Sequence, residues 1–314
     1  MTTSHFSLAR SLVEPPRRTG WFWRFEGPTF LVAGAMYAAW FVLVIFHDAI
    51  PWPLLMVLGG YVLALHFSLQ HEAIHGWRSI PGWLRTAIVW PPISGWFPFE
   101  LYRRAHTRHH RNTVLTFPGE DPESAYHRQE DWARYSRPWK AVLIFNQTFL
   151  GRLLISPFLR TWKLLQIETA KLRRGDFSDV PIWLGFFAGL AVVLWFVSAV
   201  CGMAVWEYYL FMVYPGFSLS MLRALIEHRY GTKAGERVAI VESNKVWGLL
   251  YLFNNMHLVH HLFPAMPWYQ IPAFFRANRA ALLAHSGDYH FKGYGQIARR
   301  HLLKPVFIPV HPIR

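Results

Sequence analysis

The chain has almost no sulfur chemistry at its disposal: Cys201 is its single cysteine. One thiol excludes an intramolecular disulfide, and it excludes an iron–sulfur cluster on four thiolates. Acidic residues are also scarce, 18 Asp and Glu against 32 Lys and Arg, which gives a formal charge of +14. Such a balance raises nucleic acid as a partner. The hydropathy pattern argues against it. Apolar residues make up 53% of the chain and gather in long runs. In a chain of that kind the Lys and Arg excess marks loops on the cytoplasmic face, where it meets anionic lipid. Internal repeats, low-complexity tracts and a G-x-G-x-x-G fingerprint for flavin or nicotinamide are all missing.

What is present is four apolar runs, at 29–46, 52–68, 180–199 and 204–226. Each is long enough to cross a bilayer. Residues 1–27 are polar, carry Arg10, Arg17, Arg18 and Arg24, and show no signal peptide. The short turns 47–51 and 200–203 contain no Lys or Arg. The positive-inside rule therefore puts those turns outside and the termini, 69–179 and 227–314 inside. The sequence predicts an all-α integral membrane protein, one unit over 1–314, with about four transmembrane helices in two hairpins and a cytoplasmic helical part. The stretch 90–99 is apolar but broken by Pro91, Pro92, Gly95 and Pro98, and reads as interfacial. The amphipathic stretch 139–159 reads as lying on the surface.

Eight of the 17 histidines fall in three short clusters. They are His71 and His75, then His106, His109 and His110, then His257, His260 and His261. Within each, spacings of three and four residues put imidazoles on one helix face. Imidazole suits iron, copper, nickel and zinc. Eight are too many for one ion and fit two ions with open positions. The predicted topology puts all three clusters on one side of the membrane, which a joint site requires. His228, in the polar context Glu227-His228-Arg229 just past the fourth run, is a candidate ninth ligand. Asn254 and Asn255 could orient an imidazole or a bound water, or cap the helix that follows.

Other readings compete. His71-Glu72-Ala73-Ile74-His75 matches the H-E-x-x-H pattern of zinc proteases, with Glu72 as general base, but that leaves most clustered histidines without a role. A transporter with histidines in an ion path would carry them within the spans. A carboxylate di-iron site needs two Glu-x-x-His motifs, and only Glu72–His75 supplies one. His5, His47, His127, His285, His290, His301 and His311 have no partner at helical spacing and read as solvated. His66 reads as packed. The acidic run Glu120, Asp121, Glu123 reads as a solvated loop.

The three boxes in this order, with two membrane hairpins between and around them, resemble the membrane fatty acid desaturase family over about 29–267. Asn254-Asn255 before the last box, and Leu115-Thr116 with Asp121-Pro122-Glu123-Ser124 after the second, resemble its bacterial members. The resemblance implies a multi-pass enzyme of a bacterial inner membrane, with its active site on the cytoplasmic side. It implies two non-haem irons held by the eight box histidines and by His228, with O₂ as co-substrate. Glu72, Asn254 and Asn255 would stand behind those ligands. The implied reaction introduces a double bond into a fatty acyl chain of a lipid or acyl thioester. Carotenoid ketolases and hydroxylases and alkane hydroxylases look similar at the boxes. No His-Pro-Gly-Gly of a fused haem domain is present, so a separate ferredoxin or cytochrome-type donor with its reductase is implied.

Overall fold

The computed structural model describes residues 8–14 and 19–313. His5, Arg17 and Arg18 lie outside them. The first two apolar runs form helices α1 (Gly27–Ile45) and α2 (Trp52–His75), joined by a 3₁₀ turn at His47–Ala49. Both start with proline in the first turn, where its missing N–H breaks no intrahelical bond. Helix α2 outlasts its apolar run and carries His71 and His75 in its last two turns.

After α2 the Pro-broken stretch 90–98 folds against the membrane part rather than beside it. Ile93 is buried, and its carbonyl accepts from the Tyr208 hydroxyl. Helix α3 (Phe99–Arg111) follows. The expected surface stretch 139–159 becomes two short helices, Arg137–Phe145 and Phe149–Leu154, ahead of α4 (Ser156–Arg173). It does not simply lie on the surface, because Arg152 and Leu143 are buried. Helix α5 (Val180–Trp195) runs on through a π turn at Phe196–Val200.

Among the described residues three helices are long and apolar enough to cross a membrane: Gly27–Ile45, Trp52–His75 and Val180–Val200. The last is the least buried, with Leu184, Phe187, Val192 and Trp195 exposed. Large exposed apolar faces on a helix of this length fit lipid rather than water. The chain is therefore a multi-pass membrane protein.

The fourth expected span is not one helix. The segment is Val205–Tyr208, a π turn at Tyr209–Val213, and α6 (Tyr214–Arg223). Pro215 has no N–H to offer the preceding turn, and the π turn sits just ahead of it, where such irregularities absorb a broken ladder. The expected four or so transmembrane helices in two hairpins are thus corrected to three, the fourth run, 204–226, being a segment broken just ahead of Pro215.

That segment lies along α2 and runs in the same direction. A Cβ on Gly59 would meet Met212, one on Gly60 would meet Pro215, and Phe67 packs on Phe217 at 5.4 Å between rings. A Cβ on Gly216 would come within 2.6 Å of the Leu63 Cβ. Small residues let the two backbones approach closely. Because the pair is parallel, the ends of α2 and α6 arrive side by side.

Beyond α6 the chain is held by a two-stranded parallel sheet, β1 (Ile240–Val241) against β2 (His290–Phe291). Helices α7 (His257–Leu262) and α8 (Ile271–His285) pack there over Val238, Ile240, Leu258, Val259, Phe274 and Phe275. The fold is otherwise all α. Two isolated histidines depart from expectation, since His47 and His311 are buried; His66 is buried and packed as expected.

Candidate metal centre

Four pieces of chain converge on one buried point. Helix α2 brings His71 and His75, α3 brings His106, His109 and His110, the turn after α6 brings His228, and α7 brings His257, His260 and His261. The chain between α6 and α7 is pinned by backbone bonds. His228 bridges Val238, the Ala239 N–H donates to the Glu227 carbonyl at 3.0 Å, and the Leu258 N–H donates to the Ala239 carbonyl at 3.1 Å. Just before α7, Leu252 and Phe253 both take positive φ, 46° and 54°. Two successive side-chain-bearing residues in the left-handed region cost roughly 1–2 kcal/mol each. That turn lets α7 start at His257 with its imidazole inward.

The nine imidazoles divide into two groups. His71, His75, His106, His110 and His260 offer nitrogens that all lie within 4.8 Å of one another, and so do His109, His228, His257 and His261. Box membership does not predict this division. His106 and His110 of α3 go to one group and His109 to the other, because side chains one residue apart on a helix diverge by about 100°.

Carboxylates stand behind the rings. His109 Nδ1 donates to Asp121 Oδ1 at 2.8 Å, and His106 Nδ1 donates to Glu123 Oε1 at 2.8 Å. His228 Nδ1 donates to the Arg237 carbonyl at 3.2 Å. His257 Nδ1 sits 3.3 Å from Glu227 Oε1, which Arg223 Nε also approaches at 2.9 Å; neither pair has good hydrogen-bond alignment. Protonation at Nδ1 leaves the Nε2 lone pairs of His106, His109 and His228 free, and they point inward. Of the acidic run expected to be solvated, Glu120 is exposed but Asp121 is not: Asp121 is 2% exposed, and its other oxygen accepts from the Thr116 N–H, a residue at φ 75°. Asp121 and Glu123 were missed as site residues because a loop has no periodicity. Arg223 and Glu227 carry a legible signal, opposite charges four apart at a helix end.

Do these residues fit metal ions? His109 Nε2 lies 3.0 Å from His228 Nε2, His257 Nε2 lies 3.0 Å from His228 Nε2, and His260 Nε2 lies 2.9 Å from His110 Nε2. Lone pairs facing each other at this distance repel unless a cation lies between them. Two nitrogens bound at roughly 2.0–2.1 Å and at right angles to one ion would be about 3 Å apart. His71 Nε2, His75 Nε2 and His106 Nε2 are buried with no hydrogen-bond partner among the described residues. Unpaired buried nitrogen is costly, and a metal removes the cost. Ring Nδ1–H groups anchored on carboxylates or carbonyls are the usual support for metal-ligating histidine. The donor set fits two ions.

The electrostatics agree. Burial, with the neighbouring imidazoles, holds His110, His257, His260 and His261 well below the ordinary histidine range, so they stay neutral. Burial and His109 bring His228 down to about 3. Neutral imidazole is the metal-binding form. His109 runs the other way. Burial pulls it down, but Glu123 and Asp121 outweigh that and push it up to about 9. Glu123 is held well below the carboxylate range by His106 and His109 against its burial. This corner is arranged to hold positive charge.

The remaining predicted residues sit apart. Glu72 is buried behind α2, with its carboxylate over Gly76, and belongs to neither group. Asn255 Nδ2 donates to the Val241 carbonyl at 2.6 Å and to Ser243 Oγ at 3.1 Å. It braces the chain ahead of α7, and among the described residues its side chain makes no hydrogen bond to a site imidazole. Asn254 is buried and its Nδ2 has no hydrogen-bond partner among the described residues. Neither caps α7, whose cap position is Met256.

A cavity of about 230 Å³ opens beside the centre. Phe67, Phe97, Leu101, Phe217 and Met221 line it, and Glu123 and Glu227 are also in its lining. It is a mainly apolar slot whose lining includes Glu123, which accepts from His106, and Glu227, which lies 3.3 Å from His257.

The profile of the family described as "Fatty acid desaturase" matches residues 49–293, well over half of the chain. A "Delta(12) acyl-lipid conjugase (11E,13E-forming)" of Impatiens balsamina is 26% identical over 261 residues. That match covers 70% of this chain and 64% of the relative, so the chain spans less than two thirds of that protein. The three histidine boxes, folded into one metal-competent centre beside an apolar slot, belong with that profile, and the chain is a member of the fatty acid desaturase family.

Proposed function

We propose that the chain is an O₂-dependent oxidoreductase that introduces a double bond into a fatty acyl chain. The observation that carries this reading is that the apolar cavity is lined in part by Glu123 and Glu227, two carboxylates that stand beside His106 and His257 of the histidine centre. His71, His75, His106, His110 and His260 would hold one iron, and His109, His228, His257 and His261 the other. Iron there would supply the O₂ activation and one-electron chemistry that unactivated C–H bonds require and that no side chain here has. The reaction balances as –CH₂–CH₂– plus O₂, two protons and two electrons, giving –CH=CH– and two waters. The electrons come from an external ferredoxin or cytochrome-type donor with its reductase.

The residues' own tasks follow from position. Phe67, Phe97, Leu101 and Phe217 bind the methylene chain and exclude water. Asp121, Glu123 and Glu227 orient the rings. We read Val205–Arg223 as a fourth crossing despite its break, since Pro-interrupted spans are tolerated when packed on a neighbour, and it lies along α2. On this reading 1–314 acts as one unit, with both termini and the centre on the cytoplasmic face.

The test is gas chromatography of membrane fatty acids from cells expressing the chain, with and without air. New double bonds that need air, and that vanish in His75→Ala and His260→Ala, are expected. Hydroxylated or ketolated products without new double bonds would move the protein to the hydroxylase or ketolase branch. Glu72 separates the protease alternative: Glu72→Gln should leave partial activity here, whereas a zinc protease would lose its base. The position of Glu72 outside both histidine groups supports the former.

A further inference from the structure

A second cavity, of about 490 Å³, adjoins the apolar one and shares Arg160 and Lys163 with it. Its wall is basic. Arg128, Arg152, Arg160 and Lys163 line it, and Asp131 is the one carboxylate among the described lining residues.

Arg152 is the unusual member. It is 2% exposed, yet it has no ion pair among the described residues. Its Nη2 donates to Gln147 Oε1 at 2.8 Å and its Nη1 to Ser156 Oγ at 3.4 Å, while Nε donates to nothing. A buried guanidinium without a direct ion pair is costly to hold. Burial, with repulsion from Arg160 and against the more distant pull of Glu227, brings Arg152 down to about 9. An anion between Arg152 and Arg160 would remove both penalties. Guanidinium matches phosphate in shape and charge.

Helix α4 indicates where that anion comes from. Phe158, Trp162, Leu165, Ile167 and Leu172 are exposed along it, and Trp162 and Ile167 stand at the two cavities. A helix with basic residues and bare aromatics at one edge lies in a bilayer surface. The cavity mouths therefore face the headgroup layer, not open water.

Resting on the acyl-cavity reading above, we propose that the substrate is a phospholipid, its phosphate held by Arg152, Arg160 and Lys163 in the basic cavity while one acyl chain enters the apolar cavity. The joint anchoring sets how far along the chain the histidine centre reaches.

The test uses the full chain, iron-loaded, in detergent. Tritiated dioleoyl-phosphatidylglycerol and dioleoylglycerol are presented at equal mole fraction in mixed micelles, and binding is measured by filtration. The phospholipid should bind about tenfold more tightly, the size of one charge-assisted hydrogen bond. Arg152→Gln and Lys163→Gln should each cut that preference to less than about threefold, and Arg152→Lys should retain most of it. Lys163 is exposed, so its variant keeps the test open if Arg152→Gln does not fold. Equal binding of the two lipids by the wild type, or a preference unchanged in both Gln variants, overturns the head-group site and leaves the acyl cavity standing. Failure of both lipids to bind overturns the acyl-cavity reading itself. An oleoyl thioester of phosphopantetheine that binds more tightly than the phospholipid, through the same residues, overturns the choice of phospholipid.

Discussion

His109 and Asp121 face each other across 2.8 Å with side chains 0% and 1% exposed. One comes from the second histidine box and the other from a loop twelve residues on. The pair sets the tautomer of His109 and turns its Nε2 toward His228. The site is built on contacts of this kind, between a helical imidazole and an acceptor outside the box.

Asp121→Asn keeps the size and loses the charge. We expect iron affinity at one of the two positions to fall by about tenfold to a hundredfold. Iron retained per chain against a graded chelator reads this directly. Retention equal to wild type would show that the carboxylate does not support the ligand.

Iron stoichiometry should divide as the two groups do. Wild type should hold two irons per chain. His75→Ala and His260→Ala should weaken one position, and His228→Ala and His261→Ala the other, with the second position less affected in each case. Elemental analysis with iron-edge spectroscopy separates them. A single tight zinc with no iron requirement would instead favour the protease reading.

Topology is open to thiol chemistry, because Cys201 is the sole thiol. It lies half-buried in the turn after α5. An impermeant maleimide should reach it from outside intact cells. Ser178, exposed just before α5, should as Cys react only after lysis. External labelling of Ser178→Cys would break the shared-face arrangement.

Gly216 is a point of close approach between α6 and α2. Gly216→Val would push a side chain into Leu63. Overpacking of this sort costs about 1–3 kcal/mol. A lower melting temperature in detergent and partial iron loss together are expected, since α2 and α6 set the level of the histidines. Unchanged stability would mean that the helices separate freely.

The sequence alone was enough for the membrane class, the three boxes, the nomination of His228 and the family, because apolar run length and three-to-four spacing are local properties. The same locality explains what escaped it. Pro215 marks a kink in the fourth run in the sequence itself, but the π turn at Tyr209–Val213 and the packing of Pro215 on Gly60 belong to the folded chain. The division of one box between two groups depends on which neighbours each ring meets. Asp121, Glu123 and the Arg237 carbonyl reach their rings from irregular chain, where no period exists to read, and Arg152 looked like a surface residue until the fold closed over it. Burial and lone-pair direction are properties of the assembled structure, so only tertiary packing could turn nine histidines into two metal-competent groups with an apolar slot beside them.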